Sequence, residues 1–536
     1  MNLTDQDHRR AERRIFFRNS LLVAAIFAWT ALVYKDIYAL RFFLDDYLHL
    51  HLISRIASPV TPFTTDLMFG AFYRPGVFWF WKLNWLAGHL NPAVYYAFNM
   101  GLLAATCLLL MQYLQHLTGY KGFSTWATLL YAVSPITAQG VLWLSNRFDL
   151  LGAVFFLASC VLFLRYLRFH RPWDFTGSLA AGVFSYFCKE MYITLPVVLI
   201  ASGTFMFHFR GTLTSAIVKR AVVLSAPYFV GAAAFMIVRY AILGTMGGYV
   251  GEPRVDLTFG YLMGLLSAFG SYVWYFEWPL VTLGLAVVMV LLLQKRHFRR
   301  ANPLMWFGLA FAILTAAPLA MVIRIESVMT YHTPRFFFLP GIGFAMMAAA
   351  VYNPRTGPIR RGFARAFIVL MVLVGSVNTF LVAHHTMEST RRAEKNLTRI
   401  DEFLKKEWTS DEPAVIYACQ RGLDVALDSS LKVWHPEYLD KAFLVNCSGQ
   451  TQVFSGDALY KTRGGDLTFP ATFTKNPSRF GDLWYGVVDV KPRDILAGLA
   501  SKNHVYAIYK NAQGELTFVT PDRLREQMET LGATFE

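Results

Sequence analysis

Residues 148–167 read FDLLGAVFFLASCVLFLRYL, an apolar run with one charged residue near each end. About 20 mostly apolar residues are enough to cross the hydrocarbon core of a bilayer as a helix. Comparable runs recur at 16–35, 92–116, 123–142, 175–188, 191–208, 221–243, 279–294, 303–323, 336–352 and 363–383. The pattern therefore predicts a polytopic α-helical membrane protein with about 11 transmembrane helices.

The composition predicts two domains of different character. The chain is 55% apolar and only 16% charged, whereas a soluble protein usually carries about a quarter charged residues. The deficit falls on residues 1–385, which we predict to be the transmembrane domain, with a long first outer loop at 41–91. Residues 386–536 read as a soluble mixed α/β domain, with a charged helical segment at Glu388–Lys406 and β-rich runs between 414 and 519.

Clusters of basic residues indicate the orientation in the membrane. The net charge of +15 is concentrated beside apolar runs, at Arg9–Arg14, Arg165–Arg171, Lys295–Arg300 and Arg355–Arg361. Such clusters favour the cytoplasmic side and contact anionic membrane lipids. They place the N-terminus in the cytoplasm and the C-terminal domain outside, provided that the apolar stretch 257–276 is an outer-surface or re-entrant helix. Nucleic-acid binding is disfavoured, because the chain has no soluble basic module with interleaved aromatic residues.

The first apolar run and the short loops suggest a location. No A-x-A cleavage signal follows the run near residues 21–34, so it is typical of an uncleaved signal anchor. The short loops and the lack of an evident retrieval tail favour a bacterial inner membrane, with a periplasmic C-terminal domain.

Cysteines and a D-x-D sequence give little support for a metal or nucleotide-sugar site. The five cysteines include no C-x-x-C spacing, so a zinc site is not expected. Cys419 and Cys447 are predicted to form a disulfide if their domain faces an oxidising compartment. The D-x-D at Asp5 and Asp7 lies in the predicted cytoplasmic tail, away from the outer loops. We expect neither a metal nor a cofactor.

The segment 42–53, FFLDDYLHLHLI, contains two adjacent carboxylates, Asp45 and Asp46, within an apolar stretch of the first outer loop. If the stretch is helical, Asp45 and His49 share a face. Acidic residues beside a bilayer often mark functional sites. They also cap helix N-termini, where the backbone dipole favours anions. The residues alone leave both interpretations open.

Other predicted outer joints carry a second set of polar residues. They are Arg74, Arg147 with Asp149, Lys189, Glu190, His332 and Arg335. Each taken singly is more typical of an interfacial anchor with a long aliphatic stem. Together they indicate cations and acids converging on one membrane face.

These motifs resemble those of the GT-C superfamily of membrane glycosyltransferases, over about residues 20–350. The similarity is greatest to the protein O-mannosyltransferases and to the transmembrane mannosyltransferases with TPR repeats. Asp45-Asp46 resembles the family's catalytic acidic motif, and Arg74-Pro75 its R-P step. Further matches are 135–147 to a P…W…R segment, 188–196 to a K-E…P element and 331–340, YHTPRFFFLP, to an R…Y/F-L-P segment. The chain departs from the family in having neither TPR repeats nor a MIR-type domain, which leaves the acceptor open.

The resemblance implies a polyprenyl-phosphate-linked sugar as donor and an acceptor hydroxyl on the outer face. In this scheme Asp45 is the base, and Asp46 orients it or raises its pKa by like-charge repulsion. Arg335, Lys189 and Arg147 are the candidates for the donor phosphate, with Arg335 favoured for its bidentate fork. His49, Arg74, Glu190 and His332 are candidates for substrate binding. A single base acting in line would invert the anomeric centre.

Three alternatives remain at this stage. The acceptor can be a protein, a glycolipid or a polysaccharide. A transporter or flippase of lipid-linked sugars would be expected to show repeat symmetry or charges at mid-span, whereas the charges here lie at outer joints. A membrane scaffold would leave the positions of Asp45, Asp46 and Arg335 unexplained.

Overall fold

The computed structural model describes residues 21–22, 24–43, 45–67, 72–244, 298–321, 334–352 and 358–408, and separate parts of 414–523. The α-helices in these ranges are α1 (Ala24–Val33), α2 (Asp45–Arg55), α3 (Thr61–Thr64), α4 (Pro75–Gly88), α5 (Pro92–Thr118), α6 (Lys121–Ala132), α7 (Pro135–Leu142), α8 (Arg147–Phe169), α9 (Pro172–Tyr186), α10 (Leu195–Phe209), α11 (Ser215–Leu243), α12 (Phe298–Ala316), α13 (Pro340–Ala349) and α14 (Pro358–Glu407). Short 3-10 helices occupy Lys35–Ala39, Leu144–Asn146, Glu190–Thr194, Ala317–Met321 and Pro334–Phe337.

Five helices among the described residues are long and apolar enough to span a membrane: α5, α8, α10, α11 and α14, some with a flanking 3-10 turn. Three shorter apolar helices lie at α1, in Pro303–Leu319 and at α13. The chain is therefore a polytopic helical membrane protein, as its apolar runs predict. The number of about 11 spans stays a prediction. The run at 279–294 and the stretch 257–276 lie outside the described residues.

The predicted span at 123–142 is two helices, because the chain turns at Ser134-Pro135. The Ser134 hydroxyl accepts a hydrogen bond from the Ile136 amide at 3.2 Å, and Pro135 lies in the first turn of α7. A serine cap followed by proline starts a new helix. The break directs α7 towards the Leu144–Asn146 turn, which carries a residue of the candidate site.

Small residues bring α8 close to its neighbours. The Ser159 hydroxyl donates to the Ser178 carbonyl at 2.8 Å, and the Ser178 hydroxyl donates to the Ser159 carbonyl at 2.7 Å. Such bonds join helices inside membranes. At Gly152 an added Cβ would lie 2.0 Å from the Tyr192 ring, so only glycine admits that ring. The Tyr192 hydroxyl then donates to the Asp149 carbonyl at 2.6 Å.

Helix α14 continues beyond the apolar part of its sequence. It is 50 residues long, which corresponds to about 75 Å, and it runs through the predicted domain boundary at 385 into the charged segment Glu388–Lys406. Its apolar part receives a hydrogen bond from the Trp29 indole to the Ser376 hydroxyl at 3.0 Å. Its charged part pairs with the segment 41–91 through Arg41 and Glu394 at 3.0 Å.

The strands beyond α14 form two small sheets. They are β1 (Ala414–Cys419), β2 (Ala442–Asn446), β3 (Gln450–Val453), β4 (Thr472–Phe473), β5 (Ser478–Phe480), β6 (Leu483–Asp489), β7 (Val505–Lys510) and β8 (Leu516–Val519). The first sheet has the order β2-β1-β7-β8, in which β1 is parallel to β2 and β7, and β8 is antiparallel to β7. In the second sheet β6 pairs antiparallel with β3, β4 and β5.

The first sheet rests on the C-terminal end of α14. The Phe403 ring stacks on Phe518 of β8 with 4.8 Å between centroids. The Tyr506 hydroxyl of β7 donates to the Glu407 carbonyl at 3.0 Å. Aromatic burial and a hydrogen bond to the last turn of the helix thus join the sheet to the membrane part.

Trp434 and His435, in the segment 430–435, connect the C-terminal part to α2 and α14. The Trp434 ring packs edge-on against Tyr47 of α2, with centroids 5.7 Å apart. The His435 ring lies 2.8 Å from the Asp401 carboxylate of α14. One short segment therefore contacts both α2 and α14. Cys447 and the Cys419 side chain lie outside the described residues, so the disulfide stays a prediction.

Candidate active site

Asp46 lies in the first turn of α2 and is fully buried. Its Oδ1 atom accepts hydrogen bonds from the Ser145 amide at 2.8 Å and from the Ser145 hydroxyl at 2.6 Å. Its Oδ2 atom accepts from the Phe43 amide at 3.0 Å. This last bond satisfies a backbone donor just before the helix, as the capping interpretation expects. Asp46 thus ties the start of α2 to the joint before α8.

Burial dominates the electrostatics of Asp46. It raises the pKa of the carboxyl to about 7, against three hydrogen bonds that lower the pKa. The neighbouring Asp45 raises it slightly further. The carboxyl therefore changes its protonation state close to neutral pH.

Asp45, the first residue of α2, is only partly buried. Its backbone carbonyl lies 2.7 Å from Nδ1 of His49, which is also 3.1 Å from the Ser145 hydroxyl. A carbonyl oxygen can only accept, so Nδ1 carries the hydrogen. Burial lowers the pKa of His49 to about 4, so the imidazole is neutral at pH 7. The expected Asp45–His49 proximity is found, through the backbone of Asp45.

Aromatic rings from α4 and α8 surround His49. Its imidazole stacks on Trp81 of α4 with 5.2 Å between centroids and 13° between planes. Phe78 and Phe148 lie at 5.7 and 5.4 Å. This apolar surrounding explains the neutral state, because desolvation disfavours the imidazolium. His49 consequently helps to fix α2 against α4 and α8.

Two arginines share the carboxylate of Glu190. Arg74 donates from Nε and Nη2 to Oε2 at 3.1 and 3.0 Å, and Arg239 of α11 lies 2.5 Å from Oε1. The side chains of Arg74 and Arg239 are only 10% and 3% exposed, whereas Glu190 is 22% exposed. The group carries one positive charge in excess, in surroundings where water screens charges little.

Lys189, the neighbour of Glu190, pairs with Asp149 in the first turn of α8. Its ammonium lies 2.6 and 2.8 Å from the two Asp149 oxygens, and both side chains are nearly buried. The ammonium also lies 5.5 Å from the Phe336 ring. The 3-10 turn Pro334–Phe337 therefore passes beside Lys189. The Arg335 side chain and all of His332 lie outside the described residues.

Arg147 is fully buried and its donors are used inside the protein. Nε donates to the Asn99 side-chain oxygen at 2.8 Å, Nη1 to that of Asn84 at 2.5 Å, and Nη2 to the Tyr95 carbonyl at 2.9 Å. The guanidinium also lies 4.8 Å from the centre of the Trp81 ring. This arrangement joins α4, α5 and α8 and gives Arg147 a structural position.

The Phe148 ring contacts both His49 of α2 and Arg74, which pairs with Glu190. His49 contacts its ring at 5.4 Å, and the Arg74 guanidinium lies 4.7 Å from its centroid. Residues from the segment 41–91, from the start of α8 and from the joint before α10 therefore meet, and the proposal that they form one catalytic site stays a prediction. Among the described residues, no group of three His, Cys, Asp or Glu side chains is arranged to hold a metal ion.

Two residues of this site were not selected from the sequence. Ser145 lies inside the segment 135–147 that resembles the P…W…R element, but a serine carries no chemical signal by itself. Arg239 lies near the end of the apolar run 221–243, and an ionisable residue inside a span indicates a functional site. That signal was available and would have identified Arg239.

Comparison with known proteins supports the resemblance to membrane mannosyltransferases. No family model matches the chain. Protein O-mannosyl-transferase TMTC2 of Homo sapiens is 32% identical over 142 residues, covering 25% of this chain and 17% of that protein. Protein O-mannosyl-transferase TMTC3 of Homo sapiens is 33% identical over 132 residues, covering 23% of this chain and 14% of that protein. The chain thus matches about a sixth of the length of these relatives.

Two solved structures are also similar, at low sequence identity. The crystal structure of ArnT from Cupriavidus metallidurans bound to undecaprenyl phosphate is 12% identical, covers 88% of this chain and 98% of its own, and gives a TM-score of 0.48. Arabinosyltransferase EmbB from Mycobacterium smegmatis is 11% identical, covers 76% of this chain and 42% of its own, and gives a TM-score of 0.35.

The helices and the buried charged groups define a polytopic membrane protein with an internal polar site. Its sequence similarity to the two human proteins confirms the resemblance to GT-C membrane glycosyltransferases, and among them to protein O-mannosyl-transferases.

Proposed function

We propose that the chain is a glycosyltransferase that moves a sugar from a polyprenyl-phosphate-linked donor to an acceptor hydroxyl on the outer membrane face. The observation that carries the proposal is a set of contacts that links the acidic pair to the Arg74–Glu190–Arg239 group. Asp45 and Asp46 are joined to His49 directly or through Ser145, His49 contacts the Phe148 ring, and Arg74 contacts the same ring. A base and an excess of positive charge close to each other are what this reaction needs. The names of the relatives support the transfer of a sugar rather than its transport.

The proposed reaction is a single displacement. The acceptor oxygen attacks the anomeric carbon, the bond from that carbon to the phosphate oxygen breaks, and the acceptor proton passes to a carboxylate. The leaving polyprenyl phosphate gains a negative charge, so nearby cations lower the barrier. One base acting in line inverts the anomeric configuration, and the scheme requires no metal.

The surroundings of the two carboxylates favour Asp45 as the base. The oxygens of Asp46 already accept three hydrogen bonds from the protein, and its side chain is inaccessible to solvent. Asp45 is partly exposed and begins the helix that Asp46 fixes. We therefore assign proton transfer to Asp45 and positioning to Asp46.

The cations proposed for the donor phosphate differ in part from those expected from the sequence. Arg147 is no longer proposed to bind the donor phosphate, because its guanidinium donates to Asn99, Asn84 and Tyr95. Arg74 and Arg239 take its place, since together they exceed the charge of Glu190. Lys189 and Arg335 keep their proposed role. His49, Glu190 and His332 remain proposed contributors to substrate binding.

The membrane arrangement belongs to the same proposal. We place the protein in a bacterial inner membrane with about 11 spans, a cytoplasmic N-terminus and a periplasmic α/β domain after residue 386. The acceptor class stays open between protein, glycolipid and polysaccharide.

The test is a transfer assay with the full chain reconstituted in liposomes. Polyprenyl-phosphate mannose with a labelled sugar is the first donor, and bacterial envelope protein and envelope glycolipid are offered separately as acceptors. Label should move to one acceptor fraction with wild-type protein but not with Asp45→Asn. Label that crosses the bilayer while still attached to polyprenyl phosphate would overturn transfer in favour of transport. If no label moves to either acceptor from polyprenyl-phosphate mannose or from other polyprenyl-phosphate sugars, the proposal is also rejected.

A further inference from the structure

A second charged surface lies at the opposite end of the spans from the candidate active site. Helix α8 begins beside that site at Arg147 and ends at Phe169, about 35 Å further along its axis. Three joints meet at this far end: residues 116–121, 165–174 and 208–220. We call them the basic joint surface.

The basic joint surface carries a large excess of positive charge. Its sequence contains one acidic residue, Asp174, and seven basic residues: Lys121, Arg165, Arg168, Arg171, Arg210, Lys219 and Arg220. Asp174 is paired with Arg165 at 3.3 Å. Within the three joints the Lys and Arg residues thus outnumber the acidic residues by six.

Contacts between the joints hold this surface together. The Arg210 guanidinium donates to the His116 carbonyl at 2.9 Å, which joins the third joint to the first. Arg220 donates to Nδ1 of His170 at 2.8 Å, which joins the third joint to the second. The cations are thus held near one another by the fold, although each joint contributes only a few of them.

Two guanidinium groups approach the same ring. Arg168 lies 4.9 Å from the centroid of Phe169, and Arg171 lies 5.4 Å from it. Two cations beside one ring repel each other, and a bound anion would relieve that repulsion. Arg168 is exposed, so an external anion can reach it.

Trp173 supplies an apolar group beside these cations. It is 86% exposed and follows Arg171 by two residues, at the start of α9. Tryptophan is enriched at membrane–water interfaces, where its amphipathic ring lies at the headgroup level. A cationic surface bordered by such a ring matches a lipid, which has both an anionic headgroup and apolar chains.

We propose that the basic joint surface is a binding site for the headgroup of an anionic phospholipid. Its phosphate accepts hydrogen bonds from Arg168 and Arg220, and its acyl chains pass Trp173. Basic surfaces between helices at the membrane boundary bind such headgroups. The site is independent of the proposed sugar transfer, because it lies at the other end of α8.

Native mass spectrometry of the full chain in a neutral detergent tests the site directly. Phosphatidylglycerol is titrated against phosphatidylcholine with wild-type protein and with the double variant Arg168→Gln, Arg220→Gln. Each lost cation should weaken phosphatidylglycerol binding by about fivefold, and phosphatidylcholine binding should not change. The variant Arg168→Lys, Arg220→Lys keeps the charge and should lose much less. If the glutamine double variant fails to fold, the lysine double variant is compared with wild type in its place.

Arg392→Gln is the matched control, because Arg392 is 80% exposed at the outer end of α14. It should bind phosphatidylglycerol like wild type. Unchanged binding by the folded double variant, or an equal loss in the Arg392 control, would overturn the proposal. Displacement of the lipid by millimolar inorganic phosphate would assign the surface to free phosphate instead. None of these results depends on whether the chain transfers a sugar.

Discussion

Asp45 and Asp46 are adjacent in the sequence but have different surroundings. The protein occupies both oxygens of Asp46 with hydrogen bonds, whereas Asp45 is partly exposed. The sequence left open whether this pair caps a helix or performs chemistry. The structure assigns the capping bond to Asp46, and the proposed proton transfer falls to Asp45.

Asp45→Asn should abolish transfer and leave the fold intact. The amide keeps the size of the side chain but cannot take the acceptor proton, and a general base typically contributes about 10²–10⁴-fold. The measurement is initial rate in the liposome assay, with the unfolding temperature in detergent as the control for folding. Near-normal turnover would transfer the role to Asp46. Loss of folded protein would instead favour a structural role for Asp45.

Asp46 and His49 should affect the pH dependence of stability in opposite directions. The pKa of Asp46 is raised from 3.8 to about 7, so its contribution is complete below pH 4 and is lost as the pH rises through 7. The pKa of His49 is lowered from 6.5 to about 4, so its contribution is complete above pH 6.5 and is lost as the pH falls through 4. The two contributions oppose each other between pH 4 and 6.5.

Unfolding temperatures measured from pH 4 to 7 in detergent test these signs. Relative to wild type, Asp46→Asn should gain stability as the pH rises, because the unfavourable ionisation is gone. His49→Gln should show the reverse trend relative to wild type. Parallel curves for all three proteins would mean that neither group titrates differently on unfolding.

Arg147 should be needed for stable folding but not for binding the donor phosphate. Arg147→Met removes the donors that serve Asn84, Asn99 and Tyr95, and each buried acceptor left without a partner costs about 1–3 kcal/mol. The variant should therefore unfold at a lower temperature or yield little folded protein. The folded fraction should bind polyprenyl phosphate with wild-type affinity in native mass spectrometry. Weaker binding at unchanged stability would restore Arg147 to the phosphate site.

Position along the chain was sufficient to select Arg74, Lys189 and Glu190, because charged residues at span ends are visible in sequence. Their partners were not predictable. By its position in the sequence, Arg147 cannot be distinguished from the other cations at span ends. Only the fold brings Asn84 and Asn99 to it, from 63 and 48 residues away. The pairing of Arg74 with Glu190 spans 116 residues.

At the scale of elements, the apolar runs located the long helices because the bilayer dictates their length and composition. Interruptions of a helix within one apolar run were harder to recognise in the sequence. The turn at Ser134-Pro135 interrupts a continuous apolar run, and its proline was the available signal. The continuity of α14 was not visible in the sequence, since the composition changes from apolar to charged at 385 while the helix continues through that residue.

The segment 430–435 should support activity through α2. Trp434 packs on Tyr47, the neighbour of Asp46, so Trp434→Ala removes a contact that holds the acidic pair. We expect a lower kcat in the liposome assay with a nearly unchanged KM for the donor. Trp434→Phe should recover most of the rate, because it restores the edge-on aromatic contact. An unchanged rate for the alanine variant would separate the C-terminal part from catalysis.

At the scale of the whole molecule, the orientation rests on the basic clusters. A reporter that is active only in the cytoplasm, fused after Glu536, should be silent, and the same reporter fused before the first span should be active. Positive charge on the cytoplasmic side supplies the reason. Activity of the C-terminal fusion would show that the predicted number of spans or the orientation is wrong.

Helix α14 can transmit a movement from one of its ends to the other, because it is one continuous helix of 50 residues. A continuous helix resists bending, so a tilt of about 5° within the bilayer moves the far end of a rod about 75 Å long by several ångströms. That far end carries the first sheet through Phe403 and Tyr506, while Arg41 is attached part of the way along it. Anything that pulls on the sheet therefore applies a torque to the loop that holds Asp45 and Asp46.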